Sequence, residues 1–172
     1  NASITSSLQV IGQIVAYAGE YGISTNPESF AVYGNRKYFT DKKRGVVLRL
    51  SGGAGGGQGI TEISSYGMHD FFRDELADAT KVVGGWNSHT KDYVLSLQTN
   101  SDYKTATFDE GVLGWTSFSS YKPSHIFSLS NVFYTFNQDI DINGNLGRLY
   151  QHYSGPYAKF YGVTYGSDVT IV

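Results

Sequence analysis

The sequence predicts an all-β fold built from blade-like units of four short antiparallel strands, with one amphipathic helix near residues 65–79. Three observations carry this. The 172 residues hold 21 Gly, 14 Tyr and 10 Phe against only 16% charged residues, a balance that suits strands and tight turns. Three stretches, 38–50, 93–108 and 132–152, repeat one design: an aromatic strand, a polar turn and a second alternating strand. They recur every ~40–50 residues, the period of propeller blades. Between the first and second stretches, apolar residues fall at helical spacing instead.

The elements follow in order. Residues 1–29 read as a linker or docking arm, with a turn at Asn26, Pro27, Glu28 and Ser29. Residues 30–172 read as a single all-β domain with candidate blades 30–64, 81–119 and 124–172. The first blade takes strands at 30–33, 37–41, 46–51 and 60–64, with the glycine-rich run 52–59 before the last. In the helix, Met68, Phe71, Phe72 and Leu76 share one face, and Asp70, Arg73, Asp74, Glu75 and Asp78 the other. The second blade takes 81–86, 92–98, 104–109 and 113–119. The third takes 125–129, 132–137, 148–153 and 167–172. Four short strands per unit, three units in a row, is a propeller-like pattern, although an antiparallel sandwich or barrel spaces its strands in the same way.

Trp115 and Phe118 are expected in the core, with Trp115 and Ser117 on one face of a half-buried strand and Phe118 on the other. Closed propellers have ~4–8 blades, so three blades leave strand edges free to pair with other chains. The chain opens on Asn1 rather than Met, and the expectation is a piece of a longer protein. The arm at 1–29 and the tip at 52–59 are the parts expected to reach neighbouring subunits.

Chemistry-bearing motifs are sparse. The run Gly52 to Gly59 lacks the Lys and Ser or Thr of a phosphate loop. Asp139, Asp141 and Asn143, followed by Gly144, match the first half of a calcium loop and are the only candidate metal ligands. A full loop needs a closing Glu where Tyr150 stands, so an acidic turn is the preferred reading. His69, His89, His125 and His152 have no zinc spacing, and there is no cysteine for a thiolate site or disulfide. Asp109 and Glu110 are adjacent, but neighbours on a strand face opposite ways. No nucleophile elbow occurs. No catalytic residue, no cofactor and no enzyme activity are expected.

Net charge is -2, and Lys42, Lys43 and Arg44 read as a solvated turn, so nucleic acid is not an expected partner. The apolar segment 8–18 is too short to span a bilayer, so no membrane insertion is expected. A basic start and a small-residue cleavage site are missing, so no signal peptide is expected either.

Two long phrases look familiar together. One runs through Asn26, Pro27, Glu28, Ser29, Phe30, Ala31, Val32, Tyr33, Gly34 and Asn35 to 38–45 and 59–64. The other joins Gly114, Trp115, Thr116, Ser117 and Phe118 to Pro123, 128–131, 134–136 and 149–152. They resemble segments of large virion structural proteins of tailed bacteriophages, in the tail or portal-proximal region, and the resemblance covers most of residues 20–172. It implies a non-enzymatic virion component of nozzle or muzzle type, made in the host cytoplasm. Its partners would be other copies of itself and neighbouring phage tail proteins. Relatives of this kind are much longer. An alternative is a receptor- or glycan-binding module of a phage tail, with Trp86, Trp115 and tyrosines as a platform for a host-surface glycan. A polysaccharide-degrading enzyme ranks third.

Overall fold

Within each sheet every strand pairs with its neighbour in the chain, so the sheets form as successive meanders. The computed structural model describes residues 20–52, 59–139, 144 and 146–166. The first sheet takes β1 (Ala31–Tyr33), β2 (Arg36–Asp41), β3 (Val46–Ser51) and β4 (Gly59–Glu62) in sequence order. After α1 (His69–Asp78), β5 (Lys81–Asn87), β6 (Asp92–Gln98), β7 (Tyr103–Asp109) and β8 (Gly114–Ser119) make the second sheet in the same way. The third has three strands among the described residues, β9 (His125–Leu129), β10 (Val132–Asn137) and β11 (Arg148–Gln151). A short hairpin, β12 (Lys159–Phe160) with β13 (Val163–Thr164), follows. Each aromatic repeat becomes the second and third strands of its sheet: β2–β3, β6–β7 and β10–β11. The fold is therefore mostly β, antiparallel, with one α-helix among the described residues.

The second sheet is the middle layer. All seven residues of β6 are buried, which requires cover on both faces. Alternation sends Tyr93, Leu95 and Leu97 one way, into a core shared with Tyr38, Val47, Phe72, Leu76, Trp86 and Phe108. It sends Val94 the other way, into a smaller core with Val83, Tyr121, Ile126 and Phe133. Rings tie the first joint together: Tyr33 stacks on Trp86 at 4.1 Å, Trp86 on Tyr38 at 5.4 Å, and Tyr38 on Tyr93 at 4.9 Å. Stacked rings of this kind add about 0.5–1.5 kcal/mol per pair beyond their burial.

Two glycines set how closely the layers approach. A Cβ on Gly84 would lie 2.2 Å from the Ser29 carbonyl oxygen, where the chain enters the first sheet. A Cβ on Gly85, facing the opposite way, would lie 2.2 Å from Ile126 Cγ2 on β9. β5 therefore touches both neighbouring layers through bare backbone. The Tyr93 hydroxyl donates to the same Ser29 oxygen at 2.6 Å and locks the contact.

A charged clamp fastens the far end of the first joint. Glu110, in the turn after β7, accepts from Tyr38 Oη at 2.6 Å and from Arg49 Nη1 at 2.7 Å. Arg36 lies 3.3 Å from the same carboxylate. Burial, and then the Glu110 hydrogen bond, push the Tyr38 hydroxyl well above its usual range, so it stays a donor.

Several expectations are corrected. The helix begins at His69, not 65, because the segment before it is spent on a turn. Ser65 Oγ donates to the Glu62 carbonyl at 2.7 Å, and Gly67 adopts a left-handed φ of +79° that a helix cannot continue through. Phe118 is not a core residue; it is 60% exposed, and its ring meets the edge of Phe71 at 5.4 Å. Phe118 lies on β8, the outermost strand of its sheet, and the facing along that strand is also altered by a bulge between Thr107 and Phe108. The bulge pairs Trp115 with Phe108 and Ser117 with Thr107, so Trp115 and Ser117 face opposite ways, and Phe118 shares the Trp115 face. Strand β11 stops at Gln151 rather than 153, and Tyr153 beyond it has a positive φ of 59°. The strand expected at 167–172 lies outside the described residues, as do residues 1–19 of the expected arm and 53–58 of the glycine run.

Candidate functional site

The outer strands of the second sheet and the segment 150–161 enclose a cleft of about 640 Å³. Its floor is the face of the second sheet that looks toward the third. Asp92 and Val94 on β6, Thr107 on β7, and Ser117 and Ser119 on β8 line it, brought to one side by strand register and by the bulge. Its wall is aromatic, with Tyr121, His152, Tyr153, Tyr157, Phe160 and Tyr161.

Asp92 is the unusual residue. It is 8% exposed, and its Oδ1 has no hydrogen-bond partner among the described residues. Burial raises its carboxyl above the usual carboxylate range; the Thr90 side chain offsets part of this, and the Asp109 charge adds to the rise. Asp109 stands directly across the ladder from Asp92, an unfavourable like-charge pair.

His152 is held rigidly. Thr135 Oγ1 lies 2.7 Å from His152 Nε2 and 2.8 Å from Tyr161 Oη, a continuous chain of polar atoms. The Tyr121 ring lies 4.7 Å from the imidazole and the Phe133 ring 4.9 Å. Burial lowers the imidazole pKa to about 4, so the ring is neutral at neutral pH. At the lip, Tyr153 Oη accepts from Asn87 Nδ2 at 2.6 Å, and His89 stacks on its ring at 4.3 Å. Tyr157 is fully exposed. Such a cleft offers hydroxyl donors, a carboxylate acceptor and flat apolar faces, the chemistry of binding.

The residues singled out in the sequence lie elsewhere. Asp139 pairs with Lys122 Nζ at 3.2 Å, and Asp141 and Asn143 lie outside the described residues. Among the described residues, no three His, Cys, Asp or Glu side chains gather in a metal-holding group. The tryptophans do not make an exposed pair. Trp86 is sandwiched by Tyr33 and Tyr38, while Trp115 packs on Phe72 and donates to the Ile63 carbonyl at 3.0 Å. Asp109 and Glu110 have separate tasks, the first accepting from the Val112 amide at 3.2 Å and the second forming the clamp. The basic turn is not simply solvated. Lys42 donates to the Ala79 carbonyl at the end of α1, and Arg44 pairs with Asp41 and Glu20.

Sequence reasoning passed over Asp92, Tyr121 and the segment 153–161. One signal was present in β6, where Asp92, Ser96 and Gln98 alternate with Tyr93, Leu95 and Leu97 although both faces are covered. Ser96 and Gln98 find partners in Thr105 Oγ1 and the Pro123 carbonyl. Asp92 lines the cleft, while its buried Oδ1 has no partner among the described residues.

No protein-family model matches the chain, and no curated protein is significantly similar to it. Among the described residues, no helix is long and apolar enough to cross a membrane.

Proposed function

We propose that this chain is a structural component of a tailed-phage virion, in the tail or tail–portal assembly, and that it works by stacking sheets rather than by catalysis. The observation that carries the reading is the apolar side of the third sheet, which is left partly exposed among the described residues. The first and second sheets are each covered by the next layer. On the third, strand register puts Phe127, Leu129, Val132, Tyr134 and Leu149 on the side away from the second sheet. Leu129 is 64% exposed and Leu149 56%. A further sheet laid there would continue the series in a propeller-like arrangement. Adjacent first strands support this: β5 lies against the first sheet's entry turn and against β9, while α1 and the cleft separate the outer strands. Layers that touch at one edge and open at the other form a fan. A closed ring has ~4–8 such layers, so the remaining layers would come from further sequence of the parent protein or from other copies and neighbouring tail proteins. The resemblance of the two long phrases supplies the virion context.

Mass spectrometry of purified particles of the encoding phage tests this. Peptides of this chain are expected in virions, and deletion of its gene is expected to give particles with incomplete tails. Complete particles without the chain would refute the reading.

A further inference from the structure

The segment that walls the cleft is built unlike the sheets on either side of it. Residues 153–159 are exposed without a break, and among the described residues no backbone hydrogen bond joins 153–157 to either sheet. Side chains hold the segment at two ends. Tyr153 Oη accepts from Asn87 Nδ2 at 2.6 Å with His89 stacked on its ring, and Tyr161 Oη meets Thr135 Oγ1 at 2.8 Å beside the contact of Phe160 with Tyr121. Between these anchors the chain spans the cleft without filling it.

This arrangement carries two tensions. Tyr153, Ala158 and Tyr161 have left-handed φ values of 59°, 53° and 51°, which residues with side chains adopt rarely and keep only where their surroundings enforce them. Beside the Tyr153 anchor, Asp92 Oδ1 is sealed from water and has no hydrogen-bond partner among the described residues. Asn87, which holds Tyr153, is paired with Asp92 on one side, and Asp109 stands across from Asp92 on the other. No cation offsets the charge: Tyr121, His152 and Tyr153 line the same cleft, and Lys91 is turned to Asn131. Lys159, a cation of the lining, rides on the segment itself. Opening would let the backbone relax and water reach the carboxylate.

We propose that residues 153–161 form a strap that lifts off the cleft as a unit while the sheets stay folded, and that the charge of Asp92 favours the lifted state. The proposal does not depend on the virion reading.

The chain has no cysteine, so Thr107→Cys places a single thiol on the cleft floor, at a side chain only 8% exposed. Its labelling by a maleimide at pH 7 should be at least ten-fold slower than in the urea-unfolded chain, yet at least ten-fold faster than global unfolding followed by tryptophan emission. Adding Tyr153→Phe, which removes the bond to Asn87 and keeps the ring on His89, should speed labelling at least three-fold. Adding Asp92→Asn should slow it by a similar factor. Loss of a nearby negative charge would by itself make the thiol more reactive, so slower labelling reports closure. Amide exchange in chains that keep Thr107 gives a second readout, which stands even if the thiol variant fails to fold. The Tyr165 amide, bonded to the Ala158 carbonyl at 2.8 Å, should exchange faster than that of Leu95 in β6, faster again in Tyr153→Phe and more slowly in Asp92→Asn. Four results would overturn the proposal: labelling as fast as in the unfolded chain, opening no faster than global unfolding, no response to Tyr153→Phe, or no slowing by Asp92→Asn.

Discussion

The two faces of the second sheet carry different kinds of joint. Toward the first sheet, the contact is dry and aromatic, with Tyr38, Trp86, Tyr93, Phe108 and Trp115 in ring contact and the Glu110 clamp at one end. Toward the third, the core is small, the strand surface alternates with Ser96, Thr105 and Thr107, and a cleft remains. One set of strands thus supports an adhesive face and a receptive one. Period-two alternation makes this possible, because each residue can be chosen for its own side without disturbing the ladder.

Truncation of each face in turn tests this difference. Phe108→Ala should cost about 4 kcal/mol, since the ring is fully buried and its loss leaves a cavity among Tyr66 and Trp115. Ser117→Ala, on the opposite face, should stay within about 0.5 kcal/mol. Equal urea midpoints for the two variants would contradict the division of labour.

Acid should act on the receptive face. The folded pKa of His152 is about 4 against an ordinary value near 6.5, so between those values the unfolded chain binds the extra proton. Its contribution is intact above pH ~6.5 and is lost as pH falls toward 4, by up to about 3 kcal/mol. The slope of stability against pH over that window should flatten in His152→Gln. Parallel slopes for the two proteins would remove His152 as the cause.

The smallest effect has the opposite sign. Asp92 has a raised carboxyl pKa, so its folded state favours the proton, and stability falls as pH rises above the ordinary carboxylate range. Asp92→Asn should therefore stabilise the chain at pH 7 by about 1 kcal/mol, with the gain fading in acid. A lower urea midpoint for the variant at pH 7 would show that the carboxylate has a stabilising partner.

The adhesive face was legible in the sequence and the receptive one was not. Alternation placed β3, β6, β9 and β10 at their observed bounds, and helical spacing picked out Phe72 and Leu76 as the buried side of α1. Such patterns are local, fixed by the period of each element. The bulge that put Phe118 on the Trp115 face depends on pairing with β7 and leaves no mark in the order of residues 114–118. The hairpin β12–β13 has only two residues per strand, too few to show a period. Asp92 and His152 lie 60 positions apart and come to one cleft only when the third sheet has packed on the second. Glu110 likewise gained its importance from Tyr38, Arg36 and Arg49 in another sheet.

The stacked rings at the first joint have an optical consequence. The chain has two tryptophans, and both lie on the same face of the second sheet: Trp86 between Tyr33 and Tyr38, and Trp115 against Phe72 and Phe108. The cleft side carries tyrosines, phenylalanines and a histidine but no tryptophan. Red-edge excitation therefore interrogates one seam of the molecule and is blind to the other. Emission that shifts while the cleft's amide resonances hold would mean that the aromatic seam opens first. The reverse order would mean that the third sheet lets go while both indoles stay dark to water.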